Sequence, residues 1–425
     1  MKKLLYVVLD GLGDRPIKEL GNKTPLEAAN TPNMDNLAKI GKQGIVYTVG
    51  KGIAPESDIA VISILGYDAH KYYTGRGPLE SYAEGLKVND GDIAFRVNFA
   101  TCEVGSNKLV DRRVGRNLTT EEATALAKEI NEKVKLTAYP AKFIFKNTIG
   151  HRGVLVIYRQ GGKLSAEVTN TDPAYERHGV FGVAKEKFED IALECKPLKD
   201  TKEAKEAAGL TNEFVVKSRA VLEASEINKK RINSKKMQGN IILARDAGDG
   251  LPKFPKIDKL YGLKFGCFVE MPVERGIALL TGMNVVELPL PTGNMENDYG
   301  LRVEKVVKRM KDYGALYIHI KGPDEPAHDG NFAGKKKSIE VIDKAFFGKL
   351  LPKIDLKNTV IAITSDHSTP CQLKAHSDDP VPLLVVGGNI TSDGLKRFGE
   401  SEAKKGSLGS LDGPQIMPLL IELIK

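Results

Sequence analysis

The sequence predicts an α/β protein built on a mostly parallel sheet with helices on both faces. Short apolar segments recur along the chain, and glycine, proline or aspartate bounds each of them, which is typical of buried strands. Amphipathic helical patterns lie between the segments, for example at 301–313 and 337–350. Strands that alternate with helices form parallel sheets covered on both faces. Hydrophobic residues make up 41% of the chain and charged residues 28%, as expected of a globular protein.

The strands predicted for this sheet come from both ends of the sequence. They cover residues 4–9, 315–320, 359–364 and 382–386. Three of them end on or shortly before an aspartate, namely Asp10, Asp324 and Asp366. In open α/β sheets, ligands bind beyond the carboxyl ends of the strands. We therefore expect the N-terminal and C-terminal parts of the chain to form one domain, with these aspartates at one edge.

The middle of the chain predicts a smaller inserted α+β domain. Its predicted strands and polar helices cover residues 92–99, 119–135, 153–158 and 212–235. The last helix ends in a run of lysine and arginine, and the strand that begins at Asn240 predicts that the core domain resumes there. We place the inserted domain at 77–237 and the core domain at 1–76 and 238–425. A chain of 425 residues accommodates two domains of ordinary size.

Composition narrows the class of partner. The net charge is +8, but lysine and arginine alternate with acidic residues throughout, and no aromatic and basic nucleic-acid-binding module occurs. A small anionic substrate is therefore favoured over nucleic acid. No apolar run approaches the ~18 residues that cross a bilayer, so we expect no membrane association.

The cysteines lie far apart and form no CxxC pair. This spacing argues against a zinc finger or a disulfide framework and indicates a reducing cytoplasm. The cysteines are Cys102, Cys195, Cys267 and Cys371.

Two short motifs in the C-terminal part place histidines beside carboxylates. Asp324 and His328 are four residues apart, on the same side of a helical turn. Asp366 directly precedes His367, and His376 follows nine residues later. Each Asp–His pair alone is equally typical of a polar loop, and His376 alone is more typical of a loop histidine than of a ligand. Together they predict a metal site, because carboxylate and neutral imidazole hold divalent ions that keep a position open for substrate.

Ser57 is the candidate nucleophile. It precedes an apolar helical run and so lies near the N-terminus of a helix. Serine at this position is often only an N-cap. Alternatively, a metal ion and the positive end of the helix would stabilise its alkoxide. Asp58 is a second candidate, because its carboxylate could accept the phosphoryl group as an acyl phosphate. No other feature of the sequence supports it.

Five motifs follow one another in a specific order along the chain, at 8–14, 55–58, 322–330, 365–370 and 376–382. In this order they resemble the alkaline phosphatase superfamily, and within it the archaeal-type cofactor-independent phosphoglycerate mutases. The likeness runs nearly end to end and includes segments 30–38, 110–116 and 405–409. Any one motif would be weak alone, whereas the ordered set is specific. The resemblance implies an alkaline-phosphatase-like core with an inserted domain.

The resemblance further implies two divalent metal ions, most often Mn or Mg, with Zn or Co compatible with histidine ligands. The ligands would be Asp324, His328 and His376 for one ion, and Asp10, Ser57, Asp366 and His367 for the other. In enzymes of this kind the serine takes the phosphoryl group from 3-phosphoglycerate and returns it to the 2-hydroxyl. Bisphosphoglycerate is not needed as a cofactor. The implied role is in glycolysis and gluconeogenesis.

A mutase also needs groups that hold the glycerate, and arginine suits carboxylate and phosphate. The candidates are Asp111, Arg112, Arg113, Arg116, Arg152 and Lys264. Asp111 is the possible acid or base among them, and the alternative for each is a solvated basic strand or turn. If the cluster binds substrate, Arg112→Ala raises the apparent KM far more than it changes stability. The residue that moves protons between the hydroxyls is left open, as is the oligomeric state.

Two competing functions are considered beside the mutase. One is another enzyme on the same core, such as a phosphatase, a phosphopentomutase or a phosphonate-cleaving enzyme. The other is a metal-dependent binding protein without turnover, against which the intact Ser57 and the full set of ligands argue. Interconversion of the two phosphoglycerates without bisphosphoglycerate separates the mutase from both.

Overall fold

The computed structural model describes residues 2–185, 187–289 and 291–425. Its strands in chain order are β1 (Lys3–Leu9), β2 (Lys42–Tyr47), β3 (Ile93–Cys102), β4 (Leu109–Asp111), β5 (Ala141–Asn147), β6 (Arg152–Arg159), β7 (Tyr175–His178), β8 (Phe181–Ala184), β9 (Ile241–Gly248), β10 (Phe265–Phe268), β11 (Asn284–Val285), β12 (Ala315–Ile320), β13 (Thr359–Thr364), β14 (Val381–Gly387) and β15 (Gly409–Asp412).

Its α-helices in chain order are α1 (Pro25–Ala28), α2 (Pro32–Ile40), α3 (Ser57–Ile64), α4 (Ala69–Tyr72), α5 (Arg76–Ala83), α6 (Thr120–Lys133), α7 (Lys202–Ala224), α8 (Glu226–Asn233), α9 (Ile257–Tyr261), α10 (Pro272–Thr281), α11 (Met295–Arg309), α12 (Asp324–His328), α13 (Phe332–Ile342), α14 (Gly348–Leu350), α15 (Glu400–Ala403) and α16 (Gly413–Ile424). A π-helical segment, Asp343–Phe347, joins α13 to α14. Among the described residues, no helix combines the length and apolar character that a membrane span needs.

The chain forms two units. The first contains the residues up to Tyr72 together with Phe254–Lys425, and the second is Tyr73–Lys253. The first unit holds an eight-stranded sheet in the order β11-β10-β12-β1-β13-β14-β2-β15. Only β14 runs against the other strands, since its pairings with β13 and β2 are antiparallel and the remaining pairings are parallel. The predicted α/β class with a mostly parallel sheet is therefore confirmed.

The three central strands of this sheet position the site. Strands β12, β1 and β13 are adjacent, parallel and almost wholly buried, as their continuous apolar sequences predict. Leu9 lies opposite Ile320, and Val8 opposite Thr364, so the three strands end level with one another. Sequence segments more than 300 residues apart are thus brought to one edge.

The second unit is an antiparallel sheet with helices on both faces. Strand β3 pairs with β4 and β6 on one side and with β9 on the other. Phe95 and Phe99 of β3 pack in one apolar cluster with Leu126 of α6 and Phe214 of α7. Because side chains alternate along a strand, the intervening residues face the other way, towards α5.

The structure corrects the domain boundary that we predicted at residue 237. Strand β9 was predicted to begin the resumed core domain, but it forms an antiparallel pair with β3 from Ala94↔Gly248 to Ala100↔Ile241. It therefore completes the sheet of the second unit, which extends to Lys253. A short apolar segment predicts a strand, but it carries no information about which sheet the strand will join.

Candidate two-metal active site

The candidate site lies where β1, β12 and β13 end. Asp10 follows β1 directly, Asp366 follows β13 after one residue, and α12 begins at Asp324. The chain leaves β1 through Gly11, whose φ of +60° belongs to the left-handed region that glycine favours. A Cβ atom on Gly11 would lie 2.5 Å from Asp324 Oδ1, so the turn also allows the loops to approach closely. The Gly11 amide donates to Asp366 Oδ1 at 3.1 Å.

The first group of predicted ligands is Asp324, His328 and His376. Asp324 and His328 occupy the first and last residues of α12, one turn apart, as their spacing predicts. His328 Nε2 lies 3.4 Å from Asp324 Oδ2 and 3.2 Å from His376 Nε2. One potential ligand atom from each side chain lies within 4.8 Å of the other two. The group is therefore dense enough for one ion to contact all three.

The second group is Asp10, Asp366 and His367, all of them buried. His367 Nε2 lies 3.3 Å from Asp10 Oδ1 and 3.4 Å from Asp366 Oδ2. Ser57 Oγ lies 3.2 Å from the same nitrogen. Ser57 is the first residue of α3, Glu56 is the N-cap, and no side chain caps this helix end. The Ser57 hydroxyl is therefore directed towards the ligands instead of serving as a cap.

The three imidazoles are oriented alike. Each Nδ1 has a partner outside the ligand groups, which leaves Nε2 directed into the site. The partners are the carbonyl of Lys374 for His328, at 3.0 Å, the carbonyl of Pro55 for His376, at 2.8 Å, and the hydroxyl of Thr369 for His367, at 3.0 Å. A carbonyl can only accept, so His328 and His376 donate from Nδ1–H, which makes Nε2 the atom of each ring that would bind a metal ion.

The two buried aspartates of the second group differ in acidity. Burial opposes ionisation of Asp10, but the ammonium of Lys321 and the adjacent imidazole of His367 hold the pKa of Asp10 well below its usual range. Burial and the negative charge of Asp10 raise the pKa of Asp366 well above its usual range. Two carboxylates held this close need a compensating cation, because like charges suppress each other's ionisation.

The first group contains an acid and a base that stabilise each other. Burial and Asp10 raise the pKa of Asp324, but the hydrogen bond to His328 and the nearby histidines outweigh them and lower it. That hydrogen bond raises the pKa of His328 to about 9. Burial lowers the pKa of His376, so this ring stays neutral. A metal ion in this group therefore has to displace one proton, from His328.

The donor set fits divalent ions. Asp10 Oδ1 and Asp366 Oδ2 are buried and have no hydrogen-bond partner among the described residues. Buried polar atoms without partners are rare and call for an ion or another ligand. Carboxylate oxygens with imidazole nitrogens suit Mn, Mg, Zn or Co. Each group could therefore hold one divalent ion.

Lys321 and His319 adjoin Asp10, and Glu274 contacts Lys321. We did not predict Lys321 or Glu274 at this place from the sequence. Lys321 Nζ lies 2.5 Å from Asp10 Oδ2 and 2.9 Å from Glu274 Oε1. His319 Nε2 lies 3.8 Å from both Glu274 Oε1 and Asp366 Oδ2. Lys321 directly follows β12, so its place in the sequence could have predicted that it lies at the functional edge. The sequence around Glu274 contains no feature that predicts its position. Asp58, the alternative nucleophile, is buried in α3 and belongs to neither ligand group.

Two predicted substrate-binding residues of the second unit have structural partners. Arg112 donates to both carboxylate oxygens of Asp172, at 2.8 and 2.7 Å, and Asp172 is fully buried. Asp111 Oδ1 accepts from the amides of Arg113 and Gly115, which closes a turn. Both residues therefore hold the local backbone and packing.

A second cationic cluster lies on the face of this sheet that carries α5. Arg96 and Arg245 are paired across β3 and β9, and Arg152 lies beside them opposite Asn98. Glu80 of α5 contacts Arg96, with Oε1 at 3.6 Å from Nε, and accepts from Arg76 Nε at 2.6 Å. Burial lowers the pKa of Arg96 to about 10.

This cluster extends towards residues that the sequence analysis singled out. Burial and the charges of Arg152 and Arg113 lower the pKa of His151 to about 3, which keeps the imidazole neutral. Burial also lowers the pKa values of Arg113 and Arg152. Arg116 is exposed nearby in sequence. The sequence did not indicate Arg76, Arg96 or Arg245, because a single arginine in a helix or a strand gives no sign in the sequence of what its side chain faces.

Lys264 is not brought to the candidate site. It precedes β10, which runs parallel to β12, and so lies at the edge opposite to the one that carries Asp324. Its Nζ lies over the ring of Tyr313, 5.0 Å from the centroid. Within the first unit, Lys264 therefore lies away from the metal ligands, and its predicted contact with substrate stays a prediction. The charge of a lysine does not reveal at which end of a strand it lies.

Comparison with known proteins identifies the family. A family model described as 2,3-bisphosphoglycerate-independent phosphoglycerate mutase matches residues 38–228. Proteins of that name are similar along almost the whole chain: the one from Aeropyrum pernix is 41% identical and covers 99% of this chain and 99% of its own, and the one from Pyrococcus abyssi is 42% identical and covers 100% and 98%.

Two solved structures are similar over the full chain. The PH0037 protein from Pyrococcus horikoshii has a TM-score of 0.79 at 35% identity and covers 100% of this chain and 97% of its own. The cofactor-independent phosphoglycerate mutase from Thermoplasma acidophilum has a TM-score of 0.65 at 30% identity and covers 100% of both. The chain therefore belongs to the family of 2,3-bisphosphoglycerate-independent phosphoglycerate mutases.

Proposed function

We propose that this chain interconverts 3-phosphoglycerate and 2-phosphoglycerate through a phosphoserine formed on Ser57. The observation that carries this proposal is the position of the Ser57 hydroxyl. It begins α3, does not cap the helix, and lies 3.2 Å from His367 Nε2 in the second ligand group. A serine hydroxyl is a weak nucleophile unless a base or a cation activates it, and this position offers a cation site and the positive end of a helix.

The proposed ligands are Asp324, His328 and His376 for one ion, and Asp10, Asp366, His367 and Ser57 for the other. When bound, two divalent ions would lower the pKa of the serine hydroxyl and neutralise the charge of the phosphoryl oxygens. Mn or Mg is the proposed pair, with Zn or Co chemically compatible. Lys321 would add a fixed positive charge beside Asp10.

The reaction that follows from this arrangement is a two-step transfer. Ser57 Oγ loses its proton and attacks the phosphorus of 3-phosphoglycerate, the bond from phosphorus to the 3-oxygen breaks, and the 3-oxygen takes up a proton to become a hydroxyl. The bound glycerate reorients, and its 2-hydroxyl loses a proton as its oxygen attacks the phosphoserine and releases Ser57. No bisphosphoglycerate is consumed, because the enzyme itself carries the phosphoryl group between the two hydroxyls.

We further propose that the cationic cluster of the second unit binds the anionic groups of phosphoglycerate. Buried guanidinium groups are suited to carboxylate and phosphate, which they bind with two parallel hydrogen bonds. Arg96 Nε and Arg245 Nε are buried without a hydrogen-bond partner among the described residues. The cluster consists of Arg76, Arg96, Arg113, Arg116, Arg152 and Arg245.

This activity would serve glycolysis and gluconeogenesis, and we place it in the cytoplasm. The four cysteines are free and buried, which suits a reducing compartment. The proposed partner is a small phosphorylated substrate, with neither nucleic acid nor a membrane.

The test is Ser57→Ala, assayed for conversion of 3-phosphoglycerate with Mn²⁺ and without bisphosphoglycerate. We expect activity to fall by at least ~10³-fold, because the covalent carrier is lost. Mn²⁺ binding should largely survive, since three ligands of the second group remain. Ser392→Ala, which removes an exposed hydroxyl bonded to the Lys39 carbonyl, is the matched control and should retain full activity.

A fully active Ser57→Ala protein would sink the mechanism. Release of free phosphate as the main product of the unaltered chain would instead favour a phosphatase on the same core. Removal of metal with a chelator should abolish the mutase activity, and addition of Mn²⁺ should restore it.

A further inference from the structure

Thr369 lies between the two ligand groups, and all of its polar groups are bonded. It is fully buried in the loop that follows β13. Its amide donates to the Gly13 carbonyl and its own carbonyl accepts from Lys335 Nζ, both at 2.9 Å. Its hydroxyl lies 3.0 Å from His367 Nδ1 and 2.7 Å from Asp324 Oδ1. One hydroxyl thus contacts a proposed ligand of each ion.

The chemistry of a hydroxyl sets the direction of both bonds. A hydroxyl has one proton, and an ionised carboxylate can only accept, so Thr369 Oγ1 donates to Asp324. The Thr369 oxygen therefore accepts from His367 Nδ1–H. This bond selects the tautomer in which His367 Nε2 carries a lone pair directed at the second group. The same hydroxyl fixes the rotation of the Asp324 carboxylate in the first group.

The surrounding structure leaves this hydroxyl little freedom to move. A Cβ atom on Gly11 would lie 2.9 Å from Thr369 Oγ1, so the backbone of the β1 loop approaches it closely. Lys335 is fully buried and, besides Thr369, contacts Asp14 Oδ2 and the carbonyl of Gly13, each at 2.9 Å. The loops after β1 and β13 are thereby held together behind Thr369.

We propose that the Thr369 hydroxyl is a positioning group that links the two metal sites, so that an ion in one group raises the affinity of the other group. This inference rests on the two-metal assignment made above. An ion bound to His367 orders that ring, the ring orders the hydroxyl, and the hydroxyl orders Asp324. The protein then loses less conformational entropy when the second ion binds. The effect is reciprocal, as required of any coupling between binding sites.

The experiment is titration of the metal-free full-length chain with Mn²⁺. Isothermal calorimetry measures the affinities, and electron paramagnetic resonance detects spin coupling between bound ions. We expect the unaltered chain to bind two Mn²⁺ ions with positive cooperativity and to show spin coupling between them. Thr369→Val keeps the shape of the side chain but removes the hydroxyl. It should weaken binding of both ions by about 10-fold or more and abolish the cooperativity.

Thr369→Ser restores the hydroxyl and should bind both ions within a few-fold of the unaltered chain. Thr281→Val is the matched control, because it removes a fully buried hydroxyl that donates to the carbonyls of Ile277 and Ala278 in α10. Its Mn²⁺ isotherm should be unchanged. Thermal unfolding of each metal-free variant shows whether it folds.

The outcomes separate this inference from the proposed function. If the unaltered chain binds fewer than two ions, the two-metal assignment fails and this inference fails with it. If the unaltered chain binds two ions and Thr369→Val binds them equally well, only the role of Thr369 is overturned. Weakening of one ion alone, or equal defects in Thr369→Val and Thr369→Ser, would also overturn it.

Discussion

At the scale of single residues, the second unit contains arginines with two different roles. Arg112 is paired to Asp172 at both carboxylate oxygens, and its guanidinium lies 5.4 Å from the ring centre of Tyr175 and 5.3 Å from that of Phe188. Arg96 lies in a strand beside other cations, and its Nε has no hydrogen-bond partner among the described residues. The first arrangement stabilises the fold. The second, within the described part of the chain, pairs Arg96 only with Glu80, at 3.6 Å, and leaves a hydrogen-bond donor for the anionic substrate proposed above.

This distinction reverses the expectation for Arg112→Ala. The change leaves the fully buried carboxylate of Asp172 without its bidentate partner, with Arg245 Nε 4.0 Å away. We expect it to lower the free energy of unfolding by about 2–4 kcal/mol. Arg116→Ala removes an exposed guanidinium from the same segment and should change stability by less than about 0.5 kcal/mol.

Urea unfolding measures the free energy of unfolding of both variants, and steady-state kinetics measures their KM. A normal free energy of unfolding combined with a strongly raised KM in Arg112→Ala would contradict the structural role. It would restore the substrate-binding role that the sequence predicted.

The ligand groups show how far sequence alone could go at this scale. Asp324 and His328 are four residues apart, so local spacing was enough to predict that they share one side of a helical turn. Asp366 and His367 are adjacent at the end of a predicted strand, which was enough to place them at the functional edge. Lys321 could have been noticed at the end of a strand. Glu274 could not, because its contact with Lys321 comes only from the packing of α10.

At the scale of secondary structure, one close contact determines how α5 lies on the second sheet. Gly77 of α5 faces the backbone of Ala94 in β3, and a Cβ atom on Gly77 would lie 2.2 Å from the Ala94 carbonyl oxygen. A backbone atom cannot rotate away as a flexible side chain can. The helix can therefore approach the sheet closely enough for Glu80 to reach Arg96 only because residue 77 is glycine.

Gly77→Ala should therefore destabilise the protein by about 2–3 kcal/mol, because α5 has to move away from the sheet. Gly209→Ala is the matched control within α7, where the nearest atom to the added Cβ is Tyr139 Cε2 at 3.4 Å. It should stabilise the protein by about 0.5–1 kcal/mol through helix propensity. Thermal unfolding measures both, and a neutral Gly77→Ala would show that the helix can shift without cost.

Element type was easier to predict than element partnership. The apolar segments at β1, β12 and β13 predicted buried strands, and their aspartates predicted the functional edge. The segment at β9 looked equally apolar, yet it joined the other sheet. Strand pairing depends on contacts between segments distant in sequence, and a single strand sequence does not specify them.

At the scale of the whole molecule, the first unit is closed by contacts between the two ends of the sequence. Strand β1 lies between β12 and β13, and β2 lies between β14 and β15. Glu400, at the start of α15, adds a buried contact of the same kind. It accepts from the Thr24 hydroxyl at 2.7 Å and from the Asp14 amide at 3.2 Å.

Glu400 makes the stability of this unit depend on pH. Burial raises the pKa of Glu400 from 4.5 to about 7, since its hydrogen bonds and Lys335 offset the loss of hydration only in part. Between these two values the folded protein holds a proton that the unfolded chain has released. The neutral form of Glu400 therefore contributes to the free energy of unfolding below pH 4.5, and this contribution is lost as the pH rises through about 7.

Glu400→Gln keeps an acceptor and the shape of the side chain but cannot ionise. We expect its free energy of unfolding to equal that of the unaltered protein within ~0.5 kcal/mol near pH 4.5 and to exceed it by about 1–3 kcal/mol near pH 8. Urea unfolding of both proteins across this range measures the difference directly, and groups common to both cancel in the subtraction. A difference that does not change with pH would show that Glu400 titrates alike in the folded and unfolded states. A difference of opposite sign would show that the folded protein stabilises the carboxylate through Lys335 more than burial destabilises it.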